Sequence, residues 1–283
     1  MLTEELHAKS ILTKSGLPDS DYVVNPYTGC AFGCQYCYAA FMRKWHHPEI
    51  EWGDYVGVKV NAPELLLKEI KKLSGTESIF FSSVTDCYQP AESKFKLTRA
   101  CLKVIAEEKY SGPISILTKS PLCLRDIDIF KQIKDFEIGM TVTTTEDQLG
   151  SLIEKLAPPS DSRITALKKL KQAGLRTYAF VGPLLPHFAS DAKNLEKLFG
   201  KLENAGVDYI YLEHINLSPY IKKMLFDFVE KKAPLLLDGL KQAETESYRR
   251  DLEKKIKEII SSTKLIVKNN DVMEHGKFSG RKI

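Results

Sequence analysis

The run Asn25-Pro26-Tyr27-Thr28-Gly29-Cys30-Ala31-Phe32-Gly33-Cys34-Gln35-Tyr36-Cys37-Tyr38 sets three cysteines at a C-x3-C-x2-C spacing. Three thiolates this close can hold three irons of a cubane cluster, which usually takes four cysteine ligands. A site offering three therefore leaves one iron open to a small chelating molecule. Gly29 and Gly33 let the main chain turn tightly around a bulky inorganic core and aim N–H groups at its sulfides, while Pro26 stiffens the approach. The same cysteines with His46 or His47 could also form a Cys3His zinc knuckle. A disulfide is disfavoured by the closeness of Cys34 to Cys37 and by the lack of a secretory context.

With Tyr36 before the third cysteine, the run resembles the C-x3-C-x-aromatic-C signature of the radical S-adenosylmethionine (radical SAM) superfamily. Asn25-Pro26-Tyr27, Gly29-Cys30 and Cys37-Tyr38-Ala39 are similar to its spore photoproduct lyase-like branch, and the resemblance runs over residues 22–217. It implies a [4Fe-4S] cluster on Cys30, Cys34 and Cys37, with S-adenosylmethionine at the fourth iron. It also implies reductive cleavage of that cofactor to methionine and a 5'-deoxyadenosyl radical, which takes hydrogen from an unidentified substrate. Nucleic acid is one candidate for that substrate, and a flavodoxin or ferredoxin is the expected electron donor. Two other classes compete: a zinc-stabilised nucleic-acid-binding module, and a non-catalytic iron-sulfur protein.

The 283 residues carry 43% hydrophobic and 28% charged side chains, ordinary values for a water-soluble globular chain. No apolar run is long enough to span a bilayer, and residues 1–14 lack the apolar core of a signal peptide, so a cytoplasmic protein is expected. Six cysteines, three of them in one loop, suit a reducing compartment. A net charge of +4 is too mild to demand or exclude an anionic partner.

Apolar β-branched runs alternate with helical patterns six times, with strands expected at 22–24, 79–84, 114–117, 136–142, 175–181 and 207–212. Helices are expected at 62–73, with Asn61 as cap, and at 94–108, 124–133, 160–173 and 190–204. Such alternation means an α/β fold with a parallel sheet. Periodicity leaves a doubly wound sheet open; the resemblance implies an open (β/α)6 partial TIM-type barrel over residues 1–217, with 1–21 a partly ordered lead-in. Residues 218–283 are expected as a helical extension packed on the same domain, with a short strand at 265–267 and a disordered basic tail from 268. Ligands gather at the carboxyl ends of strands in either architecture.

S-adenosylmethionine presents an amine, a carboxylate, a sulfonium, a ribose and an adenine, so its pocket needs polar partners from several strand ends. The resemblance carries the amine-binding strand end onto Ser83, Thr85 and Asp86, whose oxygens accept from an amine. It puts Lys119 at the cofactor's carboxylate or ribose, Thr143 at the ribose, Arg163 forked onto the carboxylate, and Tyr36 with main chain near Leu184 at the adenine. Taken without it, Ser83 and Thr143 are equally helix caps and Arg163 a surface residue. The branch has a hydrogen-donor cysteine near the second strand's end, where this chain has Ser82-Ser83. Cys87 is the nearest thiol, either a hydrogen donor or a small apolar filler. Glu213 and His214 end the sixth strand and are candidates for substrate contact.

Overall fold

The computed structural model describes residues 1–274. Its strands are β1 (Leu2–Leu6), β2 (Leu12–Lys14), β3 (Tyr22–Val24), β4 (Tyr27–Thr28), β5 (Tyr55–Lys59), β6 (Ile79–Phe81), β7 (Ile114–Thr118), β8 (Phe136–Thr141), β9 (Arg176–Leu184) and β10 (Tyr209–His214). One sheet runs β10-β9-β8-β7-β6-β3-β2. From β3 to β10 each strand lies parallel to the next, and only β2 is antiparallel. Parallel neighbours cannot be joined by a tight hairpin, so helices make the crossovers. The result is an open six-stranded parallel arc, the partial TIM-type barrel expected, with β2 and β10 as its unclosed edges among the described residues.

The crossover helices follow apolar stripes. They are α1 (Arg43–His46), α2 (Ala62–Ile70), α3 (Pro90–Phe95), α4 (Leu97–Glu107), α5 (Ile127–Phe130), α6 (Asp147–Ile153), α7 (Ser160–Gln172), α8 (Pro186–Ala189) and α9 (Ala192–Ala205). Cys101, Leu102 and Ile105 of α4 are buried, as are Ala62, Leu66 and Ile70 of α2, and both stripes enter one apolar cluster with β6 and β7. The helix expected over 94–108 is broken. Lys96 takes φ +55, and the Glu92 carboxylate accepts the Thr98 and Arg99 N–H groups at 2.9 and 3.2 Å, capping α4 from the preceding helix. The stretch 124–133 is a 3-10 turn followed by the four-residue α5.

The lead-in, expected to be partly ordered, carries the strands β1 and β2. β1 pairs in parallel with β5, and β4 joins β5 from the other side in a second, three-stranded sheet. Asn61 does not cap α2; its amide exchanges two hydrogen bonds of 2.9 Å with the main chain of Ala8. The Glu69 carboxylate accepts the Ile11 and Leu12 N–H groups at 3.1 and 2.7 Å.

At the other end come α10 (Pro219–Lys232), α11 (Leu237–Gln242) and α12 (Glu246–Ile260). Leu225, Val229, Leu240, Leu252 and Ile256 from these helices share one apolar cluster with Ala179, Val181 and Ile210 of the sheet. The strand expected at 265–267 is reduced to single bridges: Val267 faces Ile210, and Met273 faces Glu213, along the open edge of β10. The tail is thus held as far as Glu274, and the rest of the stretch expected to be disordered lies outside the described residues.

Replacing Glu69 with Ala removes two charge-assisted bonds to the lead-in and should cost about 1.5–3 kcal/mol in urea unfolding. Amide exchange at Ile11 and Leu12 should accelerate; unchanged exchange there would contradict the tether.

Candidate active site

The cysteine loop rests on the carboxyl ends of β6, β7 and β8, and polar side chains pin it on both flanks. Gly29 takes φ +75, and a Cβ there would sit 2.3 Å from the Tyr55 carbonyl oxygen, so only glycine fits. Fully buried Gln89 accepts the Ala31 N–H at 2.9 Å and donates to the Gly29 carbonyl at 3.2 Å. Thr85 also donates to the Gly29 carbonyl. Asn25 donates to Ser83 Oγ at 2.9 Å and accepts the Val84 N–H at 3.2 Å, while the Tyr27 hydroxyl donates to Glu92.

On the far side, Gln35 N–H reaches the Ile153 carbonyl at 2.9 Å, and the Tyr36 hydroxyl donates to Glu154. Glu154 is a buried carboxylate that also accepts from Thr143 Oγ1 at 3.3 Å and pairs with Arg163. Arg163 completes its set on the Pro158 and Thr141 carbonyls, at 2.7 and 3.1 Å. Burial pushes the Glu154 carboxyl up, but Arg163 and Lys119 outweigh it and hold the group below its ordinary value. Arg163 is therefore neither on the surface nor directed to a ligand; its guanidinium is committed to Glu154 and to two carbonyls.

Cys30 and Cys34 are buried, Cys37 is half-buried, and all three are free thiols. Two consecutive turns, Gly33 N–H to the Cys30 carbonyl at 3.2 Å and Cys37 N–H to the Cys34 carbonyl at 3.1 Å, keep the three in one compact loop. Burial lifts all three, Cys34 to about 12, against the opposing charge of Lys119 on Cys34 and Cys37. Thiols so protected stay protonated and inert until a metal takes the proton's place. The spacing of the three sulfurs does not match one zinc. A tetrahedral zinc with bonds of about 2.3 Å draws its sulfurs to within about 4 Å of each other. The one group of three potential ligand atoms mutually within 4.8 Å among the described residues lies elsewhere. His47 is bound to Glu49 and Glu4, at 3.0 and 3.3 Å, and His46 stacks on Tyr55, so neither completes a zinc knuckle. Wider spacing around a larger core suits a cluster.

Lys119 stands 5.8 Å from the centre of the Tyr36 ring. Burial opposes its charge, yet Cys34, Glu154 and Asp86 keep the ammonium above its ordinary value. Asp86 serves the framework: it accepts from Thr118 Oγ1, Lys119 N–H and Tyr88 N–H at 2.6, 2.8 and 2.9 Å. Thr85 and Thr143 are likewise bonded within the framework, and Ser83 lies between Asn25 and Tyr38, whose hydroxyl donates to the Ser83 carbonyl. Ser82 takes φ +79, in the left-handed region, while its Oγ accepts the Cys87 N–H at 2.8 Å. Cys87 has the filler's place, at 0% exposure in the apolar cluster with Tyr88, Cys101 and Cys123. Leu184 ends β9 and pairs with His214. The last two candidates part company, since neighbours on a strand face opposite ways. The charge of Glu213 is felt at Tyr38, beside the loop, whereas His214 bonds Glu253 of α12 at 3.1 Å on the outer side.

The family model of the Radical SAM superfamily matches residues 24–199. The chain belongs to this superfamily. An uncharacterized protein of Methanocaldococcus jannaschii is 39% identical over 214 residues, 76% of this chain and 78% of that one. Among solved structures, spore photoproduct lyase complexed with dinucleoside spore photoproduct superposes with a TM-score of 0.74 at 16% identity, covering 96% of this chain and 82% of the lyase. Streptococcus suis SuiB bound to precursor peptide SuiA gives 0.51 at 12% identity, over 74% of this chain and 46% of SuiB. At such identities the likeness is one of fold. The protein is thus a radical SAM enzyme whose cofactors are a [4Fe-4S] cluster and S-adenosylmethionine, and no helix among the described residues is long and apolar enough to cross a membrane.

Gln89, Glu92 and Glu154 are not singled out by the sequence, and Asn25 is marked there only as part of the motif, without its bonds to Ser83 and Val84. Glu154 had one local signal, a lone acid after the apolar Leu152-Ile153. Replacing Arg163 with Met leaves that acid buried without its counter-ion and should cost about 3–5 kcal/mol in urea. Adding Glu154→Gln, which keeps an acceptor for Tyr36 without the charge, should recover part of the loss; a double mutant at the sum of both losses would contradict the pairing. Because Glu154 is held low when folded, its contribution is complete above the ordinary carboxyl value of 4.5 and is lost as pH falls further.

Proposed function

We propose that Cys30, Cys34 and Cys37 hold the [4Fe-4S] cluster and that S-adenosylmethionine binds beside it, against Lys119 and Ser83. The observation that carries this reading is the donor set: three free thiols, two buried and one half-buried, in one tight loop pinned from both flanks. The nearby carboxylates Asp86 and Glu154 are engaged in the framework, which leaves the cysteines as the ligand donors of the loop. When bound, cluster and cofactor together supply one-electron cleavage of a carbon–sulfur bond and hydrogen abstraction from substrate.

The chain's own residues bind, orient and shield. Lys119 is the cation on hand for the cofactor's carboxylate, and its charge also favours the thiolate form of Cys34 and Cys37. Tyr36, buried and tied to Glu154, gives a fixed aromatic face under that ammonium. Burial of Cys30, Cys34 and Tyr36 would keep water from the face of the site that they line. Tyr38 and Glu213 border the side from which substrate approaches. The fold is shared by an enzyme solved with a dinucleoside spore photoproduct and one solved with a precursor peptide, so it accommodates either class. Hydrogen return through Cys87 is not part of this reading, because its thiol lies in the core. A flavodoxin- or ferredoxin-type protein is the proposed electron donor.

After anaerobic reconstitution the protein should be brown and should release 5'-deoxyadenosine from S-adenosylmethionine when dithionite is added. A colourless protein, or a brown one that leaves the cofactor intact, would overturn the reading. Lys119→Met should keep its iron and raise KM for S-adenosylmethionine about 10- to 100-fold, as expected for one charged hydrogen bond. An unchanged KM would remove Lys119 from the cofactor site.

A further inference from the structure

His214 ends β10 with its imidazole turned toward the helical layer, 4% exposed, and with Nε2 3.1 Å from Glu253 Oε1 of α12. A third element brings a third donor. Glu274 follows Met273, whose main chain is clamped to β10 by His214 N–H to Met273 O at 3.0 Å and Met273 N–H to Leu212 O at 2.8 Å. Among the described residues, His214, Glu253 and Glu274 are the only His, Cys, Asp or Glu group of three whose ligand atoms all lie within 4.8 Å of one another. His214 and Glu274 also border a cavity of about 370 Å³, with Asn216, Ser218, Glu244 and Arg249 along its wall.

We propose that these three side chains form a second metal site, for a divalent first-row transition ion, separate from the cysteine loop. One imidazole nitrogen and two carboxylate oxygens are a borderline-hard set, suited to Mn²⁺, Fe²⁺ or Zn²⁺ and unlike the thiol set of the loop. Two half-buried carboxylates held so close repel each other, and a dication between them turns that repulsion into attraction. Arg249 Nη1, 3.7 Å from Glu274 Oε2, offsets part of the negative charge from outside the triad. The imidazole is more than nine-tenths buried and its Nε2 points into the group, and the cavity beside it has room for the waters that complete an ion's coordination shell. On binding, the ion takes the place of whatever proton lies between His214 Nε2 and Glu253.

The position gives the ion a task. β10 is the open edge of the barrel among the described residues, and the segment that carries Met273 and Glu274 covers it through single bridges. An ion shared by β10, α12 and that segment staples the cover to the edge. Because none of its ligands belongs to the cysteine loop, the site stands or falls independently of the cluster chemistry.

Mn²⁺ is the probe of choice, since it avoids thiols and its free six-line electron paramagnetic resonance signal disappears on binding. Titrated into cluster-loaded full-length protein, Mn²⁺ should bind at one equivalent and raise the thermal midpoint. Glu253→Gln and Glu274→Gln, near-isosteric and only part-buried changes, should each weaken binding at least tenfold and abolish the thermal shift, while visible absorbance of the cluster reports that the variants are folded. His214→Gln should do the same. Zn²⁺ in a parallel titration should bind more tightly than Mn²⁺, following the usual order of divalent affinities. Failure of both ions to bind, or binding that the Glu253 and Glu274 variants leave unchanged, overturns the proposal.

Discussion

The buried carboxylate of Glu154 holds one flank of the cysteine loop to the barrel. Taking a charge out of water costs several kcal/mol even after relaxation, and such a group persists only where good geometry and hydrogen bonds offset the loss. Here Arg163 supplies the counter-charge, and the hydroxyls of Tyr36 and Thr143 supply the bonds. Each partner comes from a different part of the chain: the loop, the carboxyl end of β8, and α7. One acidic group thus fixes the distance between the cysteines and the strand ends, and Gln89 does the same from the opposite flank without a charge. The loop is held as a preorganised cradle and does not depend on its own short main chain for shape.

The arc of strands gives that cradle its address. β6, β7 and β8 end in Ser82–Asp86, Lys119 and Thr143, and the polar groups there divide into two kinds. Thr85, Asp86 and Thr143 face inward to other framework atoms, while Lys119 keeps its ammonium beside the cysteines and the Tyr36 ring. At the far edge, β10 sorts its last two residues by simple alternation: Glu213 toward the loop and His214 toward α12. One strand end therefore serves two separate neighbourhoods. That spore photoproduct lyase shares this architecture at 16% identity shows how few side chains the arc requires in common.

The cysteine spacing was legible in the sequence because it is local, and so were the six parallel strands, whose apolar runs stand out against helical stripes. What escaped depends on distant partners. Residues 2–6 carry little apolar alternation of their own, and β1 becomes a strand because β5, some fifty residues later, offers it an edge. The break at Lys96 is invisible to periodicity, since the group that caps α4 is the Glu92 carboxylate of the preceding helix. Arg163 sits among polar neighbours and has the pattern of an exposed residue; only the fold brings Glu154 beneath it. His214 and Glu213 are adjacent in sequence, and nothing local tells which of them turns inward.

The central claim is that the three-cysteine loop leaves one cluster iron open to the cofactor. Electron-nuclear double resonance on the dithionite-reduced enzyme, with S-adenosylmethionine labelled at its amino nitrogen and carboxylate oxygens, tests this most directly. The account predicts hyperfine coupling from both labels to the cluster, and loss of that coupling when unlabelled cofactor displaces the labelled one. A reduced cluster whose spectrum shows no coupling to either label, or whose fourth iron carries a protein side chain, would contradict it.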